Sequence, residues 1–392
     1  MKKVFLRRNE IRERLIREKV VYVRKLATLF NVSKRTIRND IHYFESIGLC
    51  ETFYGGARHI LIDNTSRCNE SMKVVESDKL RNKIETVFKK GVFILGSFNI
   101  DAFMAIDCFP VIGESIFCKS ISYFFGGKGL NQAIAASKFN NHVHLTIKIG
   151  CDYSCKEIES FINNKNIRSY SIHIDKKNKT GMSTILYKEN TGDNIILVNS
   201  GANKNLKINE LKQDFFMSGE RGVFLTQLEN NIRVTGYGLK LARENNCLTI
   251  LNPSPYTDGV FMYMKYVDIL ICNAIDAEKV SGISVTNRVS AENAAHKILK
   301  LGIKKVIITL DSEGCLLFDG VNSVHIKGNK AAVVDCCGAG DAFIGAFAGV
   351  LANGYEFINA AKIATLFSSL KVEYLGASSM PEASLIHSRL EI

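Results

Sequence analysis

A chain of 392 residues, 46% apolar and 23% charged, has the material for sizeable cores and is too long for one ordinary domain. No apolar run approaches the ~18–20 residues that span a bilayer, and the charged start Met1-Lys-Lys-Val-Phe-Leu-Arg-Arg8 does not read as a secretory signal. The formal charge of +12 is uneven: residues 1–60 hold 14 Lys/Arg against 6 Asp/Glu, a net of +8, which leaves +4 for the rest. A polyanion partner is therefore expected for the small basic part alone. The 11 cysteines form no C-x-x-C pair, so reduced thiols and a cytoplasmic location are expected, with no membrane association.

In chain order, residues 8–19 put Ile11, Leu15 and Ile16 on one helical face, and residues 23–30 fit a second short helix with Leu26, Ala27 and Phe30 inward. Asn31-Val32-Ser33 is a tight connection, and Ser33 is a good N-cap for a third helix from Lys34 to about Ser46. On it Ile37, Ile41 and Phe44 form the buried stripe, leaving Lys34, Arg35, Thr36, Arg38, Asn39, His42 and Tyr43 facing out. Two helices, a turn and a basic third helix make a helix-turn-helix pattern, and extended runs at 49–54 and 58–62 around Gly55-Gly56 read as a hairpin. A protein-binding helical module fits the same pattern.

Val32-Ser33-Lys-Arg-Thr36-Ile37-Arg38-Asn-Asp40-Ile41, followed by Gly48-Leu49 and Tyr54-Gly-Gly-Ala-Arg58, resembles the winged helix-turn-helix of DeoR-type transcription regulators. The resemblance implies a DNA-binding domain over residues 1–62. Its helix from Lys34 would read double-stranded DNA with Arg38 on a base, Lys34, Arg35 and Arg58 on phosphates, and Thr36 and Asn39 beside them. Asp40 is expected to be a structural charge partner.

Residues 63–72 are polar and read as a linker. Residues 73–90 carry an amphipathic pattern through Val74, Leu80, Ile84, Val87 and Phe88, a helix that could pack on either domain or support a homodimer. From residue 91 short apolar runs alternate with helical patterns. Strands are expected at 92–95, 143–149, 182–186, 195–198, 223–226, 248–251, 269–271, 306–309 and 315–318. Helices are expected near 131–138, 157–164, 236–245, 276–281, 291–301 and 342–351. This alternation predicts an α/β domain with a largely parallel sheet covered on both faces, and ligands at the carboxyl ends of its strands.

Four stretches carry chemistry. Asn99 and Asp101 follow the first strand at alternate positions and suit a polyol, although an Asx-turn explains them equally. Phe125-Gly-Gly-Lys128-Gly-Leu-Asn131-Gln-Ala133 lets a ligand approach the backbone while Lys128 and Asn131 donate to its oxygens. It is not a Walker A loop, and no G-x-G-x-x-G turn follows the first strand. Glu229 ends an apolar run and is a candidate hydroxyl acceptor. Asp335-Cys-Cys-Gly-Ala-Gly-Asp341 opens an apolar helix, so its N–H groups form an anion site. Asp341 there is either a helix cap or the base for a hydroxyl attacking a phosphoryl group. His142 and His144 sit two apart on a strand without further metal-ligand spacing, and read as packed or surface histidines.

With Gly192-Asp-Asn-Ile-Ile196, Ser200-Gly-Ala-Asn203, Gln227-Leu-Glu229 and Asn252-Pro-Ser-Pro255, in this order, these segments resemble the ribokinases of the PfkB carbohydrate kinase family across nearly all of residues 91–385. The resemblance implies a ribokinase-like α/β/α sandwich with a small β lid, and ATP-dependent phosphorylation of D-ribose or a related pentose. Sugar would be bound by Asn99, Asp101, Gly127, Lys128, Asn131 and Glu229. Asp341 would act as base, and Gly338, Ala339 and Gly340 as the γ-phosphoryl site. Asn273, Thr309, Asp311, Gly314 and Gly340 would meet ATP. Mg²⁺ would accompany the phosphates, with Asp276 reaching it through water. A monovalent cation, K⁺, would lie among Asp335, Cys337, Lys371 and Gly376. Three departures stand out: Asp276 replaces the family's glutamate, Asp311 a glycine, and Met380 a small polar residue. A regulator whose kinase-like domain only senses a sugar or nucleoside is the alternative.

Overall fold

The computed structural model describes residues 7, 10, 11, 14, 15, 18, 20–46, 50–59, 90–167, 169–188, 194–219 and 221–390. They fall in two compact units, Met1–Lys83 and Ile84–Ile392. Ile16, Gly48-Leu49, the linker at 63–72, the 73–90 helix apart from Lys90, and Gly192-Asp193 lie outside the described residues.

In the small unit the helices Val23–Leu29 and Lys34–Ser46 are joined through Asn31, whose φ of 50° turns the chain sharply. The Ser33 hydroxyl accepts from the Thr36 N–H at 3.1 Å, the N-cap bond that the sequence predicts. Ile11, Leu15, Leu26, Ile37, Ile41 and Phe44 are buried together. Arg7 meets the buried Asp40 at 2.6 Å, the structural pairing expected of that carboxylate. The hairpin Cys50–Phe53 and Gly56–His59 gains a strand that the sequence reading lacks, Val20–Tyr22, paired antiparallel with Gly56–His59. Three residues between two helical runs carry too little period to announce it.

The large unit is built on nine strands in the order Ser323–Ile326, Cys315–Phe318, Lys305–Thr309, Ile269–Asn273, Leu248–Leu251, Arg221–Thr226, Gly91–Leu95, Val143–Gly150 and Ser169–Asp175. Pairing is parallel from Lys305–Thr309 onward, and the first two strands form an antiparallel edge. Alternation along a strand divides its side chains between two cores: Val92 and Ile94 go to one face, Phe93 and Leu95 to the other. Both cores are covered by helices, as a buried parallel sheet requires.

A second, four-stranded sheet runs Asn194–Asn199, Gly181–Lys188, Asn99–Ile106, Ser120–Gly126. Two of its strands, Asn99–Ile106 and Ser120–Gly126, were not expected. The first is buried almost throughout and shows no alternation, and the second is mostly exposed. The helix Phe357–Lys371 was also missed.

The helix Ala339–Ala352 lies unusually close to Lys128–Ser137. A Cβ on Gly345 would stand 2.2 Å from the Gln132 carbonyl oxygen, and one on Gly349 would stand 2.8 Å from that of Ala136. Glycine at both positions is what lets the two helix backbones meet.

Candidate active site

Asp341 sits in the first turn of Ala339–Ala352, which Gly338 opens with a φ of 81°. Its carboxylate is held from the neighbouring helix: Asn131 Nδ2 donates to Oδ2 at 3.0 Å and Gln132 Nε2 to Oδ1 at 2.9 Å. Gln132 is itself fixed, accepting from Gln227 Nε2 at 2.6 Å. Each carboxylate oxygen keeps a lone pair for a further donor.

The residues expected around a sugar converge here. Glu229 accepts from the Ser97 hydroxyl and from the Lys128 N–H at 3.2 Å. Asn99 is buried, donating to Ser183 Oγ at 3.2 Å and accepting from Asn203 Nδ2 at 2.9 Å. Asp101 keeps one buried oxygen without a partner. Gly126 abuts this carboxylate so closely that a Cβ would stand 1.9 Å from Oδ2, and Gly127 takes a φ of 96° beside the Asn99 backbone. Asn99 and Asp101 lie within a lid strand rather than on an Asx-turn.

Charge is concentrated. Burial drives the Asp101 carboxyl up to about 7, with Ser183 opposing and Glu229 and Asp341 adding to the rise. Burial also raises Glu229 and Asp276, against Lys128. Burial would lower Lys128, but Asp341, Glu229, Asp276 and Asp101 together hold it above its ordinary value. An ammonium among four acids keeps its proton and can meet an anionic ligand.

A cleft opens between Lys128, Asn273, Asp276, Thr309, Gly340 and Asp341. Asn273 caps the helix Ala274–Ser281 by accepting from the Asp276 N–H at 2.7 Å. Asp276 Oδ2 is buried and unpartnered, and a hydrated divalent cation would satisfy it. The residues present thus fit Mg²⁺. A Cβ on Gly340 would meet nothing within 4 Å, so open space lies in front of this turn. The Ala339 N–H, counted among the anion donors in the sequence reading, already donates to the Cys336 carbonyl at 3.2 Å. Asp311 is exposed and holds a φ of 48°, and Gly314 takes 93°. The left-handed conformation explains why a glycine suits position 311.

Asp335 braces its own turn, with Oδ1 accepting from the Cys337 N–H and Oδ2 from the Gly376 N–H, both at 2.8 Å. Among the residues expected around a monovalent cation, Lys371 carries a buried ammonium that donates to the Asp335 and Tyr374 carbonyls. His142 is exposed and His144 is buried. His144 bonds Ser169 Oγ at 2.7 Å and stacks on Phe93, and burial takes it down to about 4. No cluster of His, Cys, Asp and Glu able to hold a metal occurs among the described residues.

In the small unit Lys34, Arg35, Arg38 and Asn39 are exposed along one helix, Thr36 is half-buried beside them, and Arg58 lies on the strand Gly56–His59. Ser97, Gln132, Ser183, Asn203 and Gln227 carry no sign of a role in the sequence alone. All five are buried polar side chains that hold the site, and three sit next to or inside the motifs already quoted.

The model of the pfkB family carbohydrate kinases matches residues 89–383. The chain belongs to that family. Ahead of the kinase domain, a DeoR-like helix-turn-helix domain matches residues 7–62. The kinase is 32% identical to ribokinase of Staphylococcus aureus over 292 residues, 74% of this chain and 95% of that protein. It is 27% identical to deoxyribokinase of Salmonella typhimurium over 296 residues, 74% and 94% of the two. The structure of Arabidopsis thaliana ribokinase complexed with ribose and ATP matches with a TM-score of 0.67 at 25% identity, covering 77% of this chain and 99% of that chain. No helix among the described residues is long and apolar enough to cross a membrane.

Proposed function

We propose that this ribokinase-family kinase transfers the γ-phosphoryl group of ATP to the 5-hydroxyl of D-ribose, and that its N-terminal domain makes it a transcription regulator as well. The observation that carries the reading is the Asp341 carboxylate, held by Asn131 and Gln132 at the mouth of a glycine turn. Asn99, Asp101, Gly127, Lys128, Asn131 and Glu229 hold the sugar, with carboxylates and amides matched to its hydroxyls. Asp341 accepts the proton of the reacting hydroxyl. The N–H groups of Gly338 and Gly340, at the positive end of a helix, face the phosphoryl oxygens as charge builds there. Asn273, Thr309, Asp311 and Gly314 line the nucleotide side. Asp276 would hold Mg²⁺, which would neutralise phosphate charge.

We take the boundaries as 1–62 for the DNA-binding domain, 63–90 for the linker and 91–392 for the kinase. Lys34, Arg35, Thr36, Arg38, Asn39 and Arg58 contact double-stranded DNA, and the protein works as a homodimer in the cytoplasm, where ATP and DNA are both present. Sugar occupancy alters DNA binding to the extent that the ligand binds two states unequally.

An ADP-release assay over a panel of pentoses, deoxyribose included, tests this. Ribose should give the highest kcat/KM, and Asp341→Asn should lose at least ~100-fold in kcat. Faster turnover of deoxyribose would move the substrate assignment. Absence of turnover with every sugar would leave a sugar sensor in place of an enzyme.

A further inference from the structure

Lys371 ends the helix Phe357–Lys371, and its side chain is completely buried. Nζ donates to the Tyr374 carbonyl at 2.9 Å and to the Asp335 carbonyl at 3.4 Å. A buried ammonium persists only where acceptors and opposite charge replace water. Here the acceptors are main-chain carbonyls, the helix C-terminus adds negative potential, and the Asp335 carboxylate adds an opposite charge. Burial lowers the Lys371 pKa, and Asp335 works against the fall.

Carbonyl oxygens converging on one compact positive charge are what a K⁺ site offers. In this chain the charge is already covalently present. The neighbouring residues give a second cation little: both Asp335 carboxylate oxygens accept backbone N–H bonds, and Met380 is packed in the apolar core.

The same residues set the anion turn. The N–H groups of Val334 and Asp335 donate to the Val372 carbonyl, Ser368 donates to the Ala339 carbonyl at 2.8 Å, and a Cβ on Gly338 would stand 2.4 Å from the Ala377 carbonyl oxygen. A charge that ties Asp335 to Tyr374 therefore fixes where Gly338 and Gly340 point.

We infer that the Lys371 ammonium is a built-in substitute for a monovalent cation, so that nucleotide binding and turnover need no added K⁺. The inference rests on the kinase reading for its consequence in turnover, but not for its test on binding and stability. ADP affinity by calorimetry, thermal midpoint, and ribose-dependent turnover are measured on the full chain in K⁺, Na⁺ or tetramethylammonium at equal ionic strength. The parent protein should agree within twofold in affinity across the three salts. Lys371→Ala should bind ADP at least tenfold more weakly in tetramethylammonium and recover in K⁺, which enters the vacated space. Lys371→Met, which fills that space without charge, should stay weak in every salt. A severalfold gain in the parent's ADP affinity, or a higher midpoint, in K⁺ over tetramethylammonium overturns the inference even if neither variant folds. So does a Lys371→Met protein with parental affinity. If no sugar turns over in any salt while binding behaves as expected, the kinase reading falls and the cation substitution stands.

Discussion

Asn131 donates its side-chain amide to Asp341 at 3.0 Å although 210 positions separate them. Its neighbour Gln132 takes the other carboxylate oxygen, so one helix turn clamps the candidate base from two directions. Gln132 is fully buried and does this positioning without facing the sugar side alone, since Gln227 holds its far end.

Gln132→Met should therefore lower kcat by roughly 10–100-fold, because a small misplacement of a reacting group carries that cost. The sugar KM should change far less. The stranded Gln227 amide should cost about 1–3 kcal/mol in denaturant unfolding. A KM that rises as much as kcat falls would point to sugar contact instead of positioning.

Asp101 makes the site pH-sensitive. Its carboxyl is raised from 3.8 to about 7, first by burial. The folded state thus keeps a proton that the unfolded chain releases, and stability contributed by this group falls as pH rises from about 4 to 7. Asp101→Asn removes that slope, so its thermal midpoint relative to the parent should climb across this window and level off above it. Sugar hydroxyls donate best to the ionised carboxylate, so ribose kcat/KM should fall up to about tenfold per pH unit below 7. Measured midpoints and pH–rate profiles for the two proteins check both statements.

The glycine turn separates folding from chemistry. Gly338→Ala forces a side chain into a left-handed backbone and against Ala377, and should cost about 1–3 kcal/mol. Gly340→Ala meets open space within a helix and should raise stability by about 0.5–1 kcal/mol. Yet its methyl group stands where phosphate oxygens are proposed to lie, so ATP-dependent turnover should drop at least tenfold. Unfolding curves beside kinetics would show the two effects with opposite signs.

DNA binding should depend on salt. Lys34→Ala and Arg35→Ala should each reduce the slope of log affinity against log salt by about 1, evenly across sequences. Arg38→Ala should cost about 1–3 kcal/mol on the preferred site and relax sequence choice. Fluorescence anisotropy on upstream DNA gives both quantities. Ribose turnover at the kinase domain should be unchanged in all three.

Much of this could be read from residue order. Parallel strands such as Lys305–Thr309 are short apolar runs, and Asn131, Glu229 and Asp341 sit in glycine-rich or strand-end contexts that expose them. The lid was harder. Asn99–Ile106 is buried on both sides and Ser120–Gly126 mostly on neither, so neither carries the period of a half-buried strand. Buried Gln132, Ser183 and Asn203 were hidden for another reason: what matters is a partner far along the chain, as with Asn203 and Asn99. Lys371 looks in sequence like one more basic helix end. Only its surroundings reveal a buried charge.

The close approach of Ala339–Ala352 to Lys128–Ser137 has a consequence for how such an enzyme can vary. Gly345 lies one helical turn behind Asp341, where no ligand reaches, and the carbonyl it rests against belongs to Gln132. A single methyl group there would wedge the helices apart and draw the carboxylate away from both amides at once. The reacting group is thus set to distance by an absence of side chain, and drift at an ordinary-looking core position would silence the enzyme while leaving every ligand-facing residue intact.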